Sequence, residues 1–191
     1  VVDIRGGKNV TFENAGYIGA GQSGTSFFGV LVSEISNDTV INLSSSSEIE
    51  AFVSGLSAEA SNNVSIVNAG SIQGVGEGRV LSSINVLDTQ TVSIDLTETS
   101  ALTARFSGIS VGSSSDVSIS NAGLIDVLSE AGPLLNEDEL GAIGISVFDV
   151  ITAEVNNSGE IISAGDSMAS GVSFLDVETA FLDNSGIISS S

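Results

Sequence analysis

The chain has 191 residues, with 24 Asp and Glu against 4 Lys and Arg, and a formal net charge of -20. It has no Cys and no His, which excludes disulfide frameworks, zinc sites, Cys nucleophiles and every His-based triad. Such a charge repels nucleic acid, yet 41% hydrophobic residues and a mean hydropathy of +0.39 give the chain the aliphatic content to fold.

Repeats dominate the chain from its start. Val10-Thr11-Phe12-Glu13-Asn14-Ala15-Gly16-Tyr17-Ile18 returns as Val64-Ser65-Ile66-Val67-Asn68-Ala69-Gly70-Ser71-Ile72 and as Val117-Ser118-Ile119-Ser120-Asn121-Ala122-Gly123-Leu124-Ile125. Shorter copies follow at Val155-Asn156-Asn157-Ser158-Gly159-Glu160-Ile161 and Leu182-Asp183-Asn184-Ser185-Gly186-Ile187-Ile188. The glycines at 16, 70, 123, 159 and 186 are 54, 53, 36 and 27 residues apart, so each of the first two gaps has room for one more copy. Degenerate copies fill both, from Ile41 to Ile49 and from Val92 to Thr99. A second motif lies half a repeat downstream, with central apolar residues at Val30, Leu56, Ile84, Ile109, Ile145 and Val172. Its steps of 26, 28, 25, 36 and 27 give the same period and the same single long step.

Both motifs alternate apolar and polar residues at period two, as half-buried strands do. Strands this short cannot each bury a face alone, but stacked coils pair every strand in parallel with its counterpart in the next repeat. The expected fold is all-β: a parallel β-helix, or β-solenoid, of about seven coils of roughly 27 residues, standing about 30 Å tall. A β-sandwich also has short strands and many turns, but it does not require corresponding strands to repeat in sequence.

Asn14, Asn68, Asn121, Asn157 and Asn184 are in phase with the inward apolar residues before them, so each is expected inside, stacked on its neighbours and relieving buried backbone groups at a corner. The glycines two residues on, Gly16, Gly70, Gly123, Gly159 and Gly186, are expected to supply a positive φ or to let coils approach closely. A line of amides binding glycan or ice would need the asparagines outside. The long step is expected as an inserted loop over 126–140. It carries Pro133, the only proline, and the acidic run Glu137, Asp138 and Glu139. That run reads as solvated loop; a weakly held divalent cation or a partner contact is its alternative. No other metal, and no cofactor or catalytic residue, is expected.

Arg79 and Arg105 are separated by close to one coil and are expected side by side, as solubilising charge or, alternatively, as an anion contact. Glycoside hydrolysis needs two carboxylates at a defined separation in a groove, and no Asp-Asp pair or aromatic sugar platform stands out. Gly74-Val75-Gly76-Glu77-Gly78 lacks the Asp and the recurrence of a calcium-binding glycine repeat. No phosphate-binding glycine loop is present. The chain is therefore expected not to be an enzyme.

The recurring Val-Ser-Ile-x-Asn-Ala-Gly-x-Ile, with Asn157-Ser158-Gly159-Glu160-Ile161-Ile162 and its copy at 184–188, resembles the β-helical passenger region of bacterial autotransporters and related large surface adhesins. The resemblance covers nearly the whole chain. It implies a right-handed helix, secretion, display at the bacterial cell surface, and a role in attachment or surface coating. Its implied partners are neighbouring coils of the same or another copy, and a host or surface glycan or protein. Freedom from cysteine suits passage through an oxidising periplasm, and no apolar run is long enough for a membrane span. Residues 1–191 read as a single solenoid domain whose last coil lacks a polar cap. It is expected to be an excerpt of a longer solenoid or a unit that stacks end to end. A carbohydrate-active β-helix enzyme is the reading from another class.

Overall fold

The computed structural model describes residues 2–19, 28–74, 82–129, 141–165 and 168–191, all as strands, turns and their connections. The strands build three faces that repeat up an axis. Face one holds β1 (Val2–Gly7), β4 (Phe28–Ile35) and β7 (Ser54–Glu59). It continues in the leading halves of β10 (Ser82–Leu96), β12 (Ser107–Asn121), β14 (Ala142–Asn157) and β16 (Ala169–Asn184). Face two holds β2 (Val10–Asn14), β5 (Asp38–Leu43), β8 (Asn63–Asn68) and the trailing halves of the same four long strands.

Face three is a separate sheet of β3 (Tyr17–Gly19), β6 (Glu48–Ala51), β9 (Ser71–Gly74), β11 (Ala101–Ala104), β13 (Leu124–Ser129), β15 (Glu160–Gly165) and β17 (Ile187–Ser190). Every pairing is parallel, between strands one repeat apart. The chain is thus a β-solenoid with seven rungs in face three, making about six turns from first to last.

The repeat motifs fix the register. The second motif's central residues stack in one column, Val2 under Val30, Leu56, Ile84, Ile109, Ile145 and Val172. Those of the first motif stack as Phe12, Ile41, Ile66, Ile94, Ile119, Val155 and Leu182, which places both degenerate copies in line. Ile18, Ile49, Ile72, Leu102, Ile125, Ile161 and Ile188 form the third column. Inside the stack these side chains are sealed from water. Each buried Ile or Leu contributes about 1.5–3 kcal/mol, so the bore carries most of the stability.

Glycines next to the first column make room for the third. A Cβ on Gly144 would stand 2.2 Å from Cγ2 of Ile161 and 2.4 Å from the Gly171 carbonyl oxygen, and Gly29, Gly55 and Gly108 are hemmed in likewise. In the fourth rung Ser83 replaces the glycine, and there the facing residue is Leu102, which has no Cγ2 branch. The Ser83 hydroxyl donates to the Thr103 carbonyl at 3.0 Å.

One interior position is mismatched. Thr39 is stacked between Val10 and Val64, with Val92 and Val117 above. It is 1% exposed, and its hydroxyl has no hydrogen-bond partner. Burying an unpaired hydroxyl is unfavourable, so Thr39→Val is expected to stabilise the fold by roughly 1 kcal/mol. A urea midpoint that falls in this variant would contradict the assignment.

Of the inserted loop expected over 126–140, only 126–129 are among the described residues, and these are strand. Asp126 to Ser129 continue β13 and pair with β15, because Val127 alternates inward on Ile125 while Asp126 and Leu128 face out. Glu137, Asp138, Glu139 and Pro133 lie outside the described residues, as do Arg79 and Gly76 to Gly78.

Candidate functional site

The asparagine–glycine motif turns the corner between faces two and three. Asn68, Asn121 and Asn157 are buried, and each sits at the end of a face-two strand with its side chain inward. The carboxamide oxygen of Asn68 accepts from the Gly70 amide at 3.1 Å, and that of Asn121 from the Gly123 amide at 3.2 Å, so each side chain closes its own turn. The Nδ2 group points along the axis. Asn121 donates to Oδ1 of Asn157 at 2.8 Å, and Asn157 to Oδ1 of Asn184 at 2.7 Å.

The asparagines do not stack continuously. Leu43 and Leu96 occupy the same column in rungs two and four, between Asn14, Asn68 and Asn121. In those rungs the corner is two residues longer, Leu43 to Ile49 against Asn14 to Ile18, and it closes as a turn: Ser47 N to Ser44 O and Ser100 N to Thr97 O, both 2.9 Å. The added turn carries the missing acceptor. Asn14 donates to the Ser47 hydroxyl and Asn68 to the Ser100 hydroxyl, each at 2.6 Å. One polar column is thus met by two different local sequences.

The corner glycines serve close approach, since none of the five has a positive φ. A Cβ on Gly70 would lie 2.3 Å from the Ser47 carbonyl oxygen, on Gly123 2.5 Å from that of Ser100, on Gly159 2.2 Å from that of Gly123, and on Gly186 2.1 Å from that of Gly159. Gly16, in the first rung, meets nothing within 4 Å.

Positive φ belongs instead to the bend between faces one and two. Gly6, Glu34, Ala60, Asp88, Ser113, Asp149 and Asp176 all have φ between 50° and 69°, and the register stacks them one per rung. Each lies four residues after the second motif's central apolar residue, and that fixed offset is the sequence signal that marks them. The left-handed region is tolerated by Gly and Asp better than by most residues. Here it also places Glu34, Asp88, Asp149 and Asp176 on one exposed edge.

Acids elsewhere are likewise outside. On face three Tyr17 donates to Glu50 at 2.5 Å, and Gln73 donates to Glu48 at 3.2 Å and to Glu50 at 3.0 Å, bridging two carboxylates one rung below it. The hydrogen bond to Glu50 holds the Tyr17 phenol above its ordinary pKa, with burial and the charges of Glu50 and Glu48 adding to it. Among the described residues the one ion pair joins Arg5 to Asp3 at 2.8 Å on the surface.

Like charges about 5 Å apart repel by about 0.8 kcal/mol in water-like surroundings. Asp149 and Asp176 hold the same exposed position on adjacent rungs, one strand spacing apart along the backbone. Salt should relieve that repulsion. The melting temperature is expected to rise by several degrees as the Debye length falls from about 30 Å to about 8 Å between 0.01 and 0.15 M ionic strength. A flat or falling melting temperature would count against an unpaired acidic coat.

An open groove of about 520 Å³ runs on the outside of face two. One wall is the column Asp38, Asn63, Thr91, Asp116 and Thr152; the other is Val40, Ser65, Ser93, Ser118 and Glu154. The sequence motifs did not point to it, because its residues vary from rung to rung and share only their place in the register. Asn63 donates to Asp38 at 2.8 Å and accepts from the Thr91 hydroxyl, while Asn156 donates to Glu154 at 2.9 Å.

Arg105 is half-buried at the end of face three, and its expected neighbour Arg79 is not among the described residues. Among the described residues no three His, Cys, Asp or Glu side chains come together to hold a metal, and no helix is long and apolar enough to cross a membrane. No protein-family model, no curated protein and no solved structure matches this chain.

Proposed function

We propose that the chain is a non-enzymatic structural or adhesive segment of a secreted bacterial surface protein, acting as a stiff acidic rod. The observation that carries the reading is where the polar chemistry goes. Asparagine carboxamides, corner hydroxyls and close-approach glycines are engaged in joining one coil to the next. The free carboxylates lie on the outside, where they favour solubility and keep rods apart. The resemblance to β-helical passengers of autotransporters and surface adhesins supports display at the cell surface and contact with a glycan or protein there. No cofactor is assigned to this role.

The test is attachment. Beads coated with the purified chain should adhere to a cell or glycan-coated surface above beads coated with an acidic globular protein of equal charge. Equal adhesion would sink the adhesive half of the reading. Incubation with polysaccharides should leave their length and unsaturation unchanged, and chain scission would instead favour a carbohydrate-active enzyme.

A second reading is that coils continue from one copy into another. Filaments whose length grows with concentration would support that reading, and a monomer at all concentrations would reject it.

A further inference from the structure

The outer groove of face two has the features of an extended ligand site, and its chemistry narrows the ligand. It is straight, runs parallel to the axis over five rungs, and therefore spans four strand spacings, about 19 Å. That suits a linear chain rather than a compact molecule. The hydroxyls of Ser65, Ser93, Ser118 and Thr152 and the carboxylate of Asp116 make no hydrogen bond or ion pair within the described chain. Ser47 and Ser100, by contrast, are tied into the corner. The groove thus offers hydroxyls at one-rung intervals together with three carboxylates, Asp38, Asp116 and Glu154, and its lining contains no Lys or Arg.

On a chain of net charge -20, uronate and sulfated glycans are repelled from such a groove. A neutral glycan satisfies the hydroxyls but leaves the carboxylates without a counter-charge. A basic peptide supplies the charge, but its backbone binds sheets by adding to an edge, and the rungs under the groove are paired on both edges. We propose that the groove binds a linear amino-sugar polysaccharide carrying free amines. Its ring hydroxyls would exchange hydrogen bonds with the serine column, and its ammonium groups would pair with Asp116, Glu154 and Asp38. The proposal rests on the surface-attachment reading and gives it a ligand class.

The test measures binding of a glucosamine hexamer to the whole chain by calorimetry near physiological salt, beside an N-acetylglucosamine hexamer, hexalysine and a hexauronate. The expected order has the glucosamine hexamer first and the uronate without binding. D116N/E154Q should weaken the glucosamine hexamer about tenfold, because both lost charges are in the groove. D88N/D149N removes two charges from the bend instead and should change binding less than twofold. Equal loss in both double variants, or hexalysine binding as tightly as the glucosamine hexamer, would show diffuse charge attraction and overturn the proposal. No binding of the glucosamine hexamer would overturn it too, while bead adhesion by the same preparation would leave the attachment reading standing. Circular dichroism of each variant separates lost binding from lost fold.

Discussion

Gly159→Ala is expected to destabilise the protein by about 3 kcal/mol or more, whereas Gly16→Ala at the matching corner is expected to change stability by less than about 0.5 kcal/mol. The two residues share a motif and differ in what lies beneath. The added methyl at 159 would come within 2.2 Å of the Gly123 carbonyl oxygen, 2.6 Å of the Ala122 carbonyl carbon and 2.8 Å of the Gly123 nitrogen. All three are backbone atoms, so no side-chain rotation relieves the clash. The corner would have to lift, stretching the hydrogen bond from the Glu160 amide to the Gly123 carbonyl, now 2.9 Å. In a chain of this size the expected loss is about 6–12 °C in melting temperature. Equal effects at 159 and 16 would mean that these glycines serve the turn itself rather than coil-to-coil approach.

Asn157→Ala should cost about 2–4 kcal/mol, the range for stranding buried partners in a hydrogen-bonded network. Asn157 accepts from Asn121 at 2.8 Å and donates to Asn184 at 2.7 Å, so its loss strands groups on both sides. Asn184→Ala, in the exposed last rung, should cost under about 1 kcal/mol. Asn157→Leu is the sharper comparison, because leucine already occupies this column at Leu43 and Leu96. In those rungs a corner two residues longer brings Ser47 or Ser100 to accept the amide from below. Residue 157 has no such corner, so leucine there is expected to be at least as damaging as alanine. If urea unfolding finds Asn157→Leu neutral, burial alone governs the column and the hydrogen bonds are incidental.

The repeat made most of the architecture readable because stacking forces like residues onto like positions. Columns such as Ile84 on Leu56 and under Ile109 follow from counting. The degenerate copies at Ile41 and Ile94 were placed by phase alone, and both are in register. What escaped were features that register imposes on residues of no common type. The bend requires a left-handed residue in every rung, but Gly6, Glu34, Ala60 and Asp88 share no side-chain chemistry, only an offset. The asparagines look like one continuous ladder in sequence, yet Leu43 and Leu96 divide it, because a two-residue lengthening of the corner can replace an amide with a serine. The groove was invisible for the reason the bend was: its walls are defined by position on the outer surface, where packing places no demand on residue identity.

The central claim, that these repeats stack as coils along one axis, has a direct physical ruler. Glu13, Ser120, Asn156 and Asp183 occupy one outward column in rungs one, five, six and seven. The chain has no cysteine of its own, so paired cysteines introduced there can be spin-labelled cleanly. With Glu13→Cys fixed and the second label moved from Ser120→Cys to Asn156→Cys to Asp183→Cys, pulsed dipolar spectroscopy should give about 19, 24 and 29 Å, one strand spacing per rung. Distances that fail to lengthen in that order, as in a sandwich where successive strands alternate between sheets, would contradict the solenoid.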